Sequence, residues 1–308
     1  MNVEQRKPRS ITSLCSLLGY SRQGLYKAQS NHQKQCFEED LLVQQVQKIR
    51  VDQKRIGGRR LHHILQPFMH HHQFNIGRDS FFEVLLNNGL LVRRRKRKQP
   101  VTTNSFHRYK KYKNLIKELI PVGSIQLWVS DITYIHLING FAYLSLITDA
   151  YSRKIVGFYL SKTLEATGSI KALKIALQYN HVEPNKLIHH SDRGVQYCCN
   201  TYVEILKKKK IKISMTEHGD PLENAIAERV NGILKDELLE DVYKDFAAAQ
   251  QGVAKAISVY NHLRPHSSIS YKTPIELHNN NEPVQRKWKN YYVKNKLLNV
   301  EVAHEMHR

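Results

Sequence analysis

Acidic residues are scarce in this 308-residue chain, where 27 Asp plus Glu stand against 48 Lys plus Arg and the formal charge is +21. An excess of this size favours a polyanionic partner, and nucleic acid is the leading candidate. The alternatives are a basic protein that binds anionic lipid, or charge that serves only solubility. Hydrophobic residues make up 41%, enough to build a core, and the length suggests roughly two domains.

The sequence also lacks the features of membrane and secreted proteins. No apolar run approaches the ~20 residues that a spanning helix needs, and the N-terminus has no apolar stretch like that of a signal peptide. The four cysteines show neither CxxC spacing nor a disulfide framework; they are Cys15, Cys36, Cys198 and Cys199. We therefore expect a protein of the reducing cytoplasm that does not bind a membrane.

The first third of the chain has a helical pattern. In residues 1–35, a helical apolar stripe precedes Gly19, and Ser21 can cap a second helix that begins at Arg22. Two short helices around a glycine turn are typical of a DNA-reading helix-turn-helix, although an ordinary helical hairpin has the same pattern. Residues 36–98 predict a second all-helical unit that binds DNA.

This second unit ends in six consecutive positive charges: Arg93, Arg94, Arg95, Lys96, Arg97 and Lys98. Such a block cannot pack in a core, and its self-repulsion favours an extended form. It is either a solvated linker or a strap that binds DNA phosphates, and the charge of the whole chain favours the strap. Residues 99–120 continue as a basic linker, and residues 281–308 form a basic tail with aromatic residues.

Residues 121–280 change to strands and helices in the order β-β-β-α-β-α-β-α. The first three strands are predicted at Gln126–Ile135, Phe141–Thr148 and Lys154–Leu160, with a hairpin turn at Asn139-Gly140. Later strands are reached through helices, and the last helix spans about Pro221 to Glu240. The result is a mixed α/β sheet with helices on both faces, which is the element order of an RNase H-like fold.

Three acidic residues occupy positions that this fold would bring together. Asp131 interrupts the apolar first strand, Asp192 ends the fourth strand, and Glu228 lies on the last helix. The first and fourth strands are neighbours at the centre of such a sheet, and the last helix lies across it. Glu223 and Asp220, near the start of that helix, compete with Glu228 for the third position.

Three close carboxylates repel one another, so the arrangement needs cations. Two Mg²⁺ ions ~4 Å apart prefer oxygen ligands and can activate the attacking oxygen and stabilise the leaving oxygen of a phosphodiester. Mn²⁺ can take the same place. Lys235 follows Glu228 by seven residues on the same helical face, where it can contact an adjacent phosphate. His190 and Arg193 flank Asp192 and are further candidates for DNA contact, with strand packing as the alternative for His190.

Four segments of the chain resemble the DDE transposase and retroviral-integrase superfamily. The resemblance is closer still to the OrfB-type transposases of bacterial insertion sequences, in insertion-sequence family three. The segments are Trp128–Ile135, His190–Tyr197, Asn224–Arg229 and Tyr260–His266, with Thr273-Pro274 downstream. The family often has Ser where Val195 stands, usually Asp where Glu223 stands, and often Ser where Arg229 stands. None of these departures removes an expected metal ligand.

The resemblance implies a Mg²⁺-dependent DNA transposase that cleaves a phosphodiester at the element end and joins the freed 3′-hydroxyl to another strand. It assigns Asp131, Asp192 and Glu228 as metal ligands and gives Lys235 a contact with the element end. It further implies homo-oligomers on DNA and an upstream-frame partner fused by ribosomal frameshifting. A structure-selective nuclease and a non-catalytic DNA-binding regulator are the alternatives. The intact trio argues against a regulator, because acids beside docked phosphates oppose binding.

Overall fold

The structure, a computed structural model, describes residues 10–92, 107–217 and 224–283. The chain divides into two compact units. One comprises Met1–Val51 and Ile56–Arg93, and the other comprises Asp52–Arg55 and Arg94–Arg308. The predicted basic run Arg93–Lys98 lies outside the described residues, as does most of the predicted C-terminal tail. No helix within the three described ranges combines the length and the apolar character needed to cross a membrane.

The first unit is made of four helices: α1 (Ile11–Leu17), α2 (Arg22–Arg50), α3 (Gly58–His71) and α4 (Arg78–Asn87). Their apolar faces enclose a small core that includes Leu42, Val46, Leu61, Leu65, Phe81 and Leu85. The sequence pattern of helices in this part of the chain therefore corresponds to an all-α unit with a core of its own.

The turn between α1 and α2 forms where the sequence predicts it. Gly19 adopts a positive φ of 71°, which a glycine accommodates without strain. The Ser21 hydroxyl caps α2 by accepting a hydrogen bond from the Gly24 N–H at 2.9 Å. The second helix is longer than expected, because no Gly or Pro interrupts residues 25–50. The predicted boundary between residues 35 and 36 consequently falls inside α2.

The second unit contains a five-stranded sheet with the spatial order β3-β2-β1-β4-β5. Its strands are β1 (Leu127–Leu137), β2 (Gly140–Asp149), β3 (Ile155–Ser161), β4 (Ile188–Ser191) and β5 (Lys212–Met215). The first three strands pair antiparallel, whereas β4 runs parallel to β1 and β5 runs parallel to β4. This is the mixed sheet of an RNase H-like fold, and the predicted element order is confirmed.

Helices cover both faces of this sheet. On one face, α5 (Ala166–Tyr179) and α7 (Asn200–Lys208) pack on a core around Trp128. On the other face, α8 (Ala225–Ile233) and α9 (Phe246–His262) pack on the opposite side of β1, β2 and β3. The described part of this unit also contains the short helices α6 (Val195–Cys198) and α10 (Pro274–Asn280) and the 3-10 turn Ser267–Ile269. The sheet centre is therefore buried on both sides.

A glycine sets the distance between α5 and the sheet. A Cβ added at Gly157 on β3 would lie 2.4 Å from the Ala172 carbonyl oxygen and 2.7 Å from the Ala176 Cβ. These separations are far inside van der Waals contact, so α5 can approach β3 this closely only over a residue without a side chain.

The last predicted helix differs from the structure in one respect. After α8 ends at Ile233, the chain forms a π-helical turn, Leu234–Leu238, in which the Leu239 N–H donates to the Leu234 carbonyl at 2.8 Å. Turns of this kind occur often at functional sites. Because a π turn is wider than an α turn, the α-helical spacing that places Lys235 on the face of Glu228 does not hold past Ile233. Lys235 itself is half-buried.

Candidate active site

The pairing of β1 with β4 brings the two aspartates together. Trp128 lies opposite His189 and Val129 lies opposite His190. Continued by two residues, this parallel register places Asp131 level with Asp192. Side chains at equal positions on adjacent parallel strands point to the same face of a sheet. This register therefore places the two aspartates next to each other near the centre of the sheet.

The electrostatic surroundings of Asp131 include both Asp192 and the third acid, Glu228. Burial raises the pKa of Asp131 from 3.8 to about 7, with further contributions from the negative charges of Asp192 and, to a smaller extent, Glu228. Each of these two contributions requires that the acid concerned lies near Asp131. The acids predicted on the first strand, the fourth strand and the last helix are thus gathered in one region.

Two hydrogen bonds orient the Asp131 carboxylate. The backbone N–H of Ile132 donates to Oδ1 at 2.9 Å, and the side-chain amide of Asn231 donates to Oδ2 at 2.7 Å. Asn231 follows Glu228 by three residues on α8, so the two side chains share a helical face. Asn224, just before α8, donates from Nδ2 to the Ser130 carbonyl at 3.2 Å. These two amides dock α8 on the strand that carries Asp131.

Sequence reasoning did not identify Asn231. The available signal was its spacing from Glu228, which predicts a shared face, but it does not reveal which strand residue the amide meets. That contact depends on the docking of α8 across β1, between residues that are 100 positions apart.

Asp192 is held by the turn that follows β4. Its Oδ1 accepts the backbone N–H of Gly194 at 3.0 Å, and a Cβ added at Gly194 would lie 3.0 Å from the same oxygen. The carboxylate lies at the carboxyl end of a central parallel strand, where α/β proteins tend to bind ligands. The same charge, after burial, raises the pKa of the nearby Cys198 thiol to about 11, so this thiol is un-ionised at neutral pH.

The acidic trio does not form a closed metal cage. Within the ranges that the structure describes, no group of three or more His, Cys, Asp or Glu side chains is placed to hold a metal ion. Uncompensated carboxylates repel one another, and both oxygens of Asp131 already accept hydrogen bonds. The donor set nevertheless fits a hard divalent cation, since all its ligands would be oxygens.

The histidines before Asp192 pack inside the sheet. His190 is fully buried, with Nδ1 2.8 Å from the Ser214 hydroxyl. Its position is that of a strand-packing residue and does not favour the predicted contact with DNA. His189 lies between the hydroxyls of Ser130 and Tyr202, at 2.7 and 2.9 Å from Nε2. Burial, together with His190, lowers the pKa of His189 to about 3, so its imidazole is neutral.

The other predicted DNA contacts are distributed differently. Arg193 is half-buried, and its carbonyl oxygen lies 2.7 Å from Nε2 of His107. Lys235 lies on the π-helical turn. Asp220 and Glu223, the two competitors for the third acidic position, fall outside the described residues, as do the six charges of the basic run.

A buried ion pair involves one residue of the π-helical turn. Arg264, only 1% exposed, donates from Nε and Nη2 to the two carboxylate oxygens of Glu237, each at 2.9 Å. Its Nη1 lies 3.1 Å from Nε2 of His266. Glu237 belongs to the turn that continues α8, and Arg264 follows α9. The fork-to-fork geometry therefore ties the segment after α9 to the helix that carries Glu228.

Comparison with protein families gives two matches to this unit. Residues 121–221 and residues 209–274 each match a family model described as "Integrase core domain". The two matched ranges together run from the start of the sheet region to the beginning of α10, and they include all three acids of the candidate site.

Three curated proteins illustrate the similarity along the chain. The "Insertion element IS600 uncharacterized 31 kDa protein" of Shigella sonnei is 34% identical over 270 residues, which cover 85% of this chain and 96% of that protein. The "Putative transposase for insertion sequence element IS986/IS6110" of Mycobacterium tuberculosis (strain CDC 1551 / Oshkosh) is 31% identical over 163 residues, which cover 51% of this chain and 59% of that protein. "Transposase InsF for insertion sequence IS3A" of Escherichia coli (strain K12) is 29% identical over 202 residues, which cover 64% of this chain and 69% of that protein.

Solved structures include the catalytic core domain of HTLV-2 integrase in complex with magnesium. It is 20% identical, covers 50% of this chain and 96% of that chain, and superposes with a TM-score of 0.40.

Proposed function

The chain belongs to the IS3-type DDE transposases, and we propose that it cleaves a phosphodiester at the end of its insertion sequence and joins the freed 3′-hydroxyl to another DNA strand. The observation that supports the proposal is the electrostatic interaction of Asp131 with Asp192 and Glu228, both of which add to the effect of burial in raising the pKa of Asp131. The formal charge of +21 supports DNA as the partner.

In this proposal Asp131, Asp192 and Glu228 hold two divalent cations, Mg²⁺ or in its place Mn²⁺. When bound, such a pair of ions makes the attacking oxygen more nucleophilic and stabilises the leaving oxygen. The remaining groups of the chain supply position. Asn231 and the Ile132 N–H fix the Asp131 carboxylate, and the Gly194 N–H fixes that of Asp192.

Assembly on DNA belongs to the same proposal. An insertion sequence has two ends, and one chain carries one acidic trio, so we propose a homo-oligomer that places one active site at each end. Lys235, Arg193 and the basic run Arg93–Lys98 are proposed to contact DNA phosphates. An upstream-frame partner fused by frameshifting is likewise proposed to complete the protein.

The first test is a cleavage and strand-transfer assay on a duplex that carries the element end, with Mg²⁺, Mn²⁺ or EDTA. We expect nicked and joined products with either metal and none with EDTA. Asp192→Asn should reduce both products by at least ~10²–10³-fold, since a ligand of the cations that would stabilise the transition state is lost. Retention of wild-type activity by Asp192→Asn in Mg²⁺ would exclude the mechanism, and cleavage without joining would favour the nuclease.

The second test asks which glutamate supplies the third ligand. Glu228→Gln should lose cleavage to the same extent as Asp192→Asn, because its charge lies close enough to raise the pKa of Asp131. Glu223→Gln removes the same charge five residues earlier and serves as the matched control, with activity expected to remain within a few-fold of the wild type. The reverse outcome would transfer the role of third ligand to Glu223.

A further inference from the structure

A cavity of about 280 Å³ opens beside the candidate active site. It is lined by Lys111, Tyr112, Lys113, Arg193 and Glu217. The segment that carries the two lysines runs along the edge strand β5, where the Met215 N–H donates to the Lys113 carbonyl at 3.4 Å. On the other side, Arg193 directly follows Asp192 in sequence. One residue of the lining is therefore the sequence neighbour of a proposed metal ligand.

The charge that faces this cavity is positive. Glu217, its one acid, is already compensated, because Oε2 pairs with Lys117 at 2.5 Å and Oε1 accepts the Asn114 N–H at 3.1 Å. Among the described residues, none forms an ion pair with either lysine of the lining or with Arg193. Three cations around a shallow, largely open pocket favour an anionic ligand.

Arg193 adds a specific donor. Its Nε is buried, and no acceptor for it exists in the part of the chain that the structure describes. A buried guanidinium donor without an acceptor is costly, and a phosphodiester oxygen is an acceptor that suits the planar fork of arginine. Because this Nε is shielded from solvent, the case for a phosphate in the cavity rests on the three cations of its lining, among which the planar fork of Arg193 suits a phosphodiester.

Tyr112 supplies an aromatic wall. Its ring packs against the core on the α5 and α7 face of the sheet. The Lys110 Nζ lies over the ring, 5.5 Å from its centroid, so a base that stacks on the ring displaces this cation. Cations beside a fixed aromatic ring are the combination that single-strand-binding proteins use, with phosphates on the cations and a base on the ring. A base within a duplex is covered by its neighbours and cannot reach such a ring.

We propose that this cavity binds one nucleotide of an unpaired DNA strand. The phosphodiester lies against Lys111, Lys113 and Arg193, and the base contacts Tyr112. The inference rests on the proposed transposase function and deepens it, because it makes an opened duplex end the preferred substrate beside Asp192. The protein should then bind a DNA end with unpaired nucleotides more tightly than the same sequence as a blunt duplex.

The test compares a blunt duplex with one that carries a short unpaired 3′ tail, both bound by the full chain in the presence of EDTA. The double variant Lys111→Ala/Lys113→Ala should weaken binding of the tailed DNA about 10-fold and reduce its salt dependence, while the blunt duplex changes about 2-fold or less. The control Lys208→Ala/Lys209→Ala removes the same charge from the exposed end of α7 and should change the affinity for the two DNAs to the same extent. Equal loss on tailed and blunt DNA in the lysine variant would overturn the proposal.

Fluorescence of 2-aminopurine in the tail tests the aromatic contact directly. We expect the wild type and Tyr112→Phe to quench it and Tyr112→Ala to leave it bright; no quenching by wild type would overturn the assignment of the base to Tyr112.

Melting curves of the variants establish that they are folded. Tail-dependent binding and quenching by a wild type that cannot cleave with Mg²⁺ would support the subsite and contradict the proposed function. A wild type that binds neither DNA would overturn both.

Discussion

Asp131→Asn is expected to abolish DNA cleavage and, in the absence of metal, to make the protein more stable. The gain arises because the folded state raises the pKa of the Asp131 carboxyl to about 7. An acid with a raised folded pKa stabilises the fold below its unfolded pKa, and that contribution is lost as pH rises from 3.8 through about 7. The neutral amide carries no such cost. Asn231, whose Oδ1 has no partner among the described residues, can turn its amide to accept from the new donor.

The measurement is a series of thermal melts in EDTA between pH 4 and pH 8. At the upper end, the variant should exceed the wild type by about 1–3 kcal/mol in free energy of unfolding, or roughly 3–8 °C in melting temperature. The difference should disappear toward the lower end, where the wild-type carboxyl is protonated. The control Glu204→Gln removes a negative charge from the exposed side of α7 and should change stability by less than about 0.5 kcal/mol.

The effect of Mg²⁺ on the melting temperature distinguishes a carboxylate that binds a metal ion from one that is only destabilised by burial. Added Mg²⁺ should raise the melting temperature of the wild type, because ligands that bind the folded state stabilise it, and it should have little effect on Asp131→Asn. A variant that melts below the wild type at pH 8, or an equal response of both proteins to Mg²⁺, would contradict the assignment of Asp131 to a repelling trio.

The sequence was sufficient for those parts of the molecule that depend on local pattern. Alternating apolar runs placed the strands of the second unit close to their observed bounds, and the Asn139-Gly140 turn predicted the hairpin between β1 and β2. Asp131 was recognisable because a carboxylate within an apolar strand is expensive unless it has a partner or a function.

Features that depend on distant pairings could not be predicted in the same way. The bond from Asn231 to Asp131 and the burial of His190 follow from how α8 and β5 pack against the central strands. The π-helical turn has no local sequence signal, since residues 234–238 are compatible with an α-helix. What distinguishes this turn is the contact of Glu237 with Arg264, 27 positions further along the chain.

That contact carries the second large expected effect. Glu237→Gln keeps the shape of the side chain but leaves the Arg264 guanidinium, 1% exposed, without its counter-charge. Loss of one partner of a buried ion pair typically costs about 3–5 kcal/mol, which urea unfolding would resolve. Glu183→Gln breaks a surface pair with Lys186 at 2.5 Å and should cause no measurable change, because exposed pairs are screened by solvent.

Further variants separate the charge of Arg264 from its geometry. Arg264→Lys keeps the positive charge but loses the planar fork that binds both oxygens of Glu237, so it should remain destabilised. The double variant Arg264→Met/Glu237→Leu removes both charges and should recover much of the stability, since apolar replacement of a buried pair is often nearly neutral. If the ion pair also fixes the π-helical turn beside Glu228, the recovered double variant should still cleave DNA more slowly, with a larger loss in kcat than in affinity for DNA. Full activity in that variant would restrict the pair to a role in stability. A Glu237→Gln protein with the same free energy of unfolding as the wild type would show that the pair does not stabilise the fold.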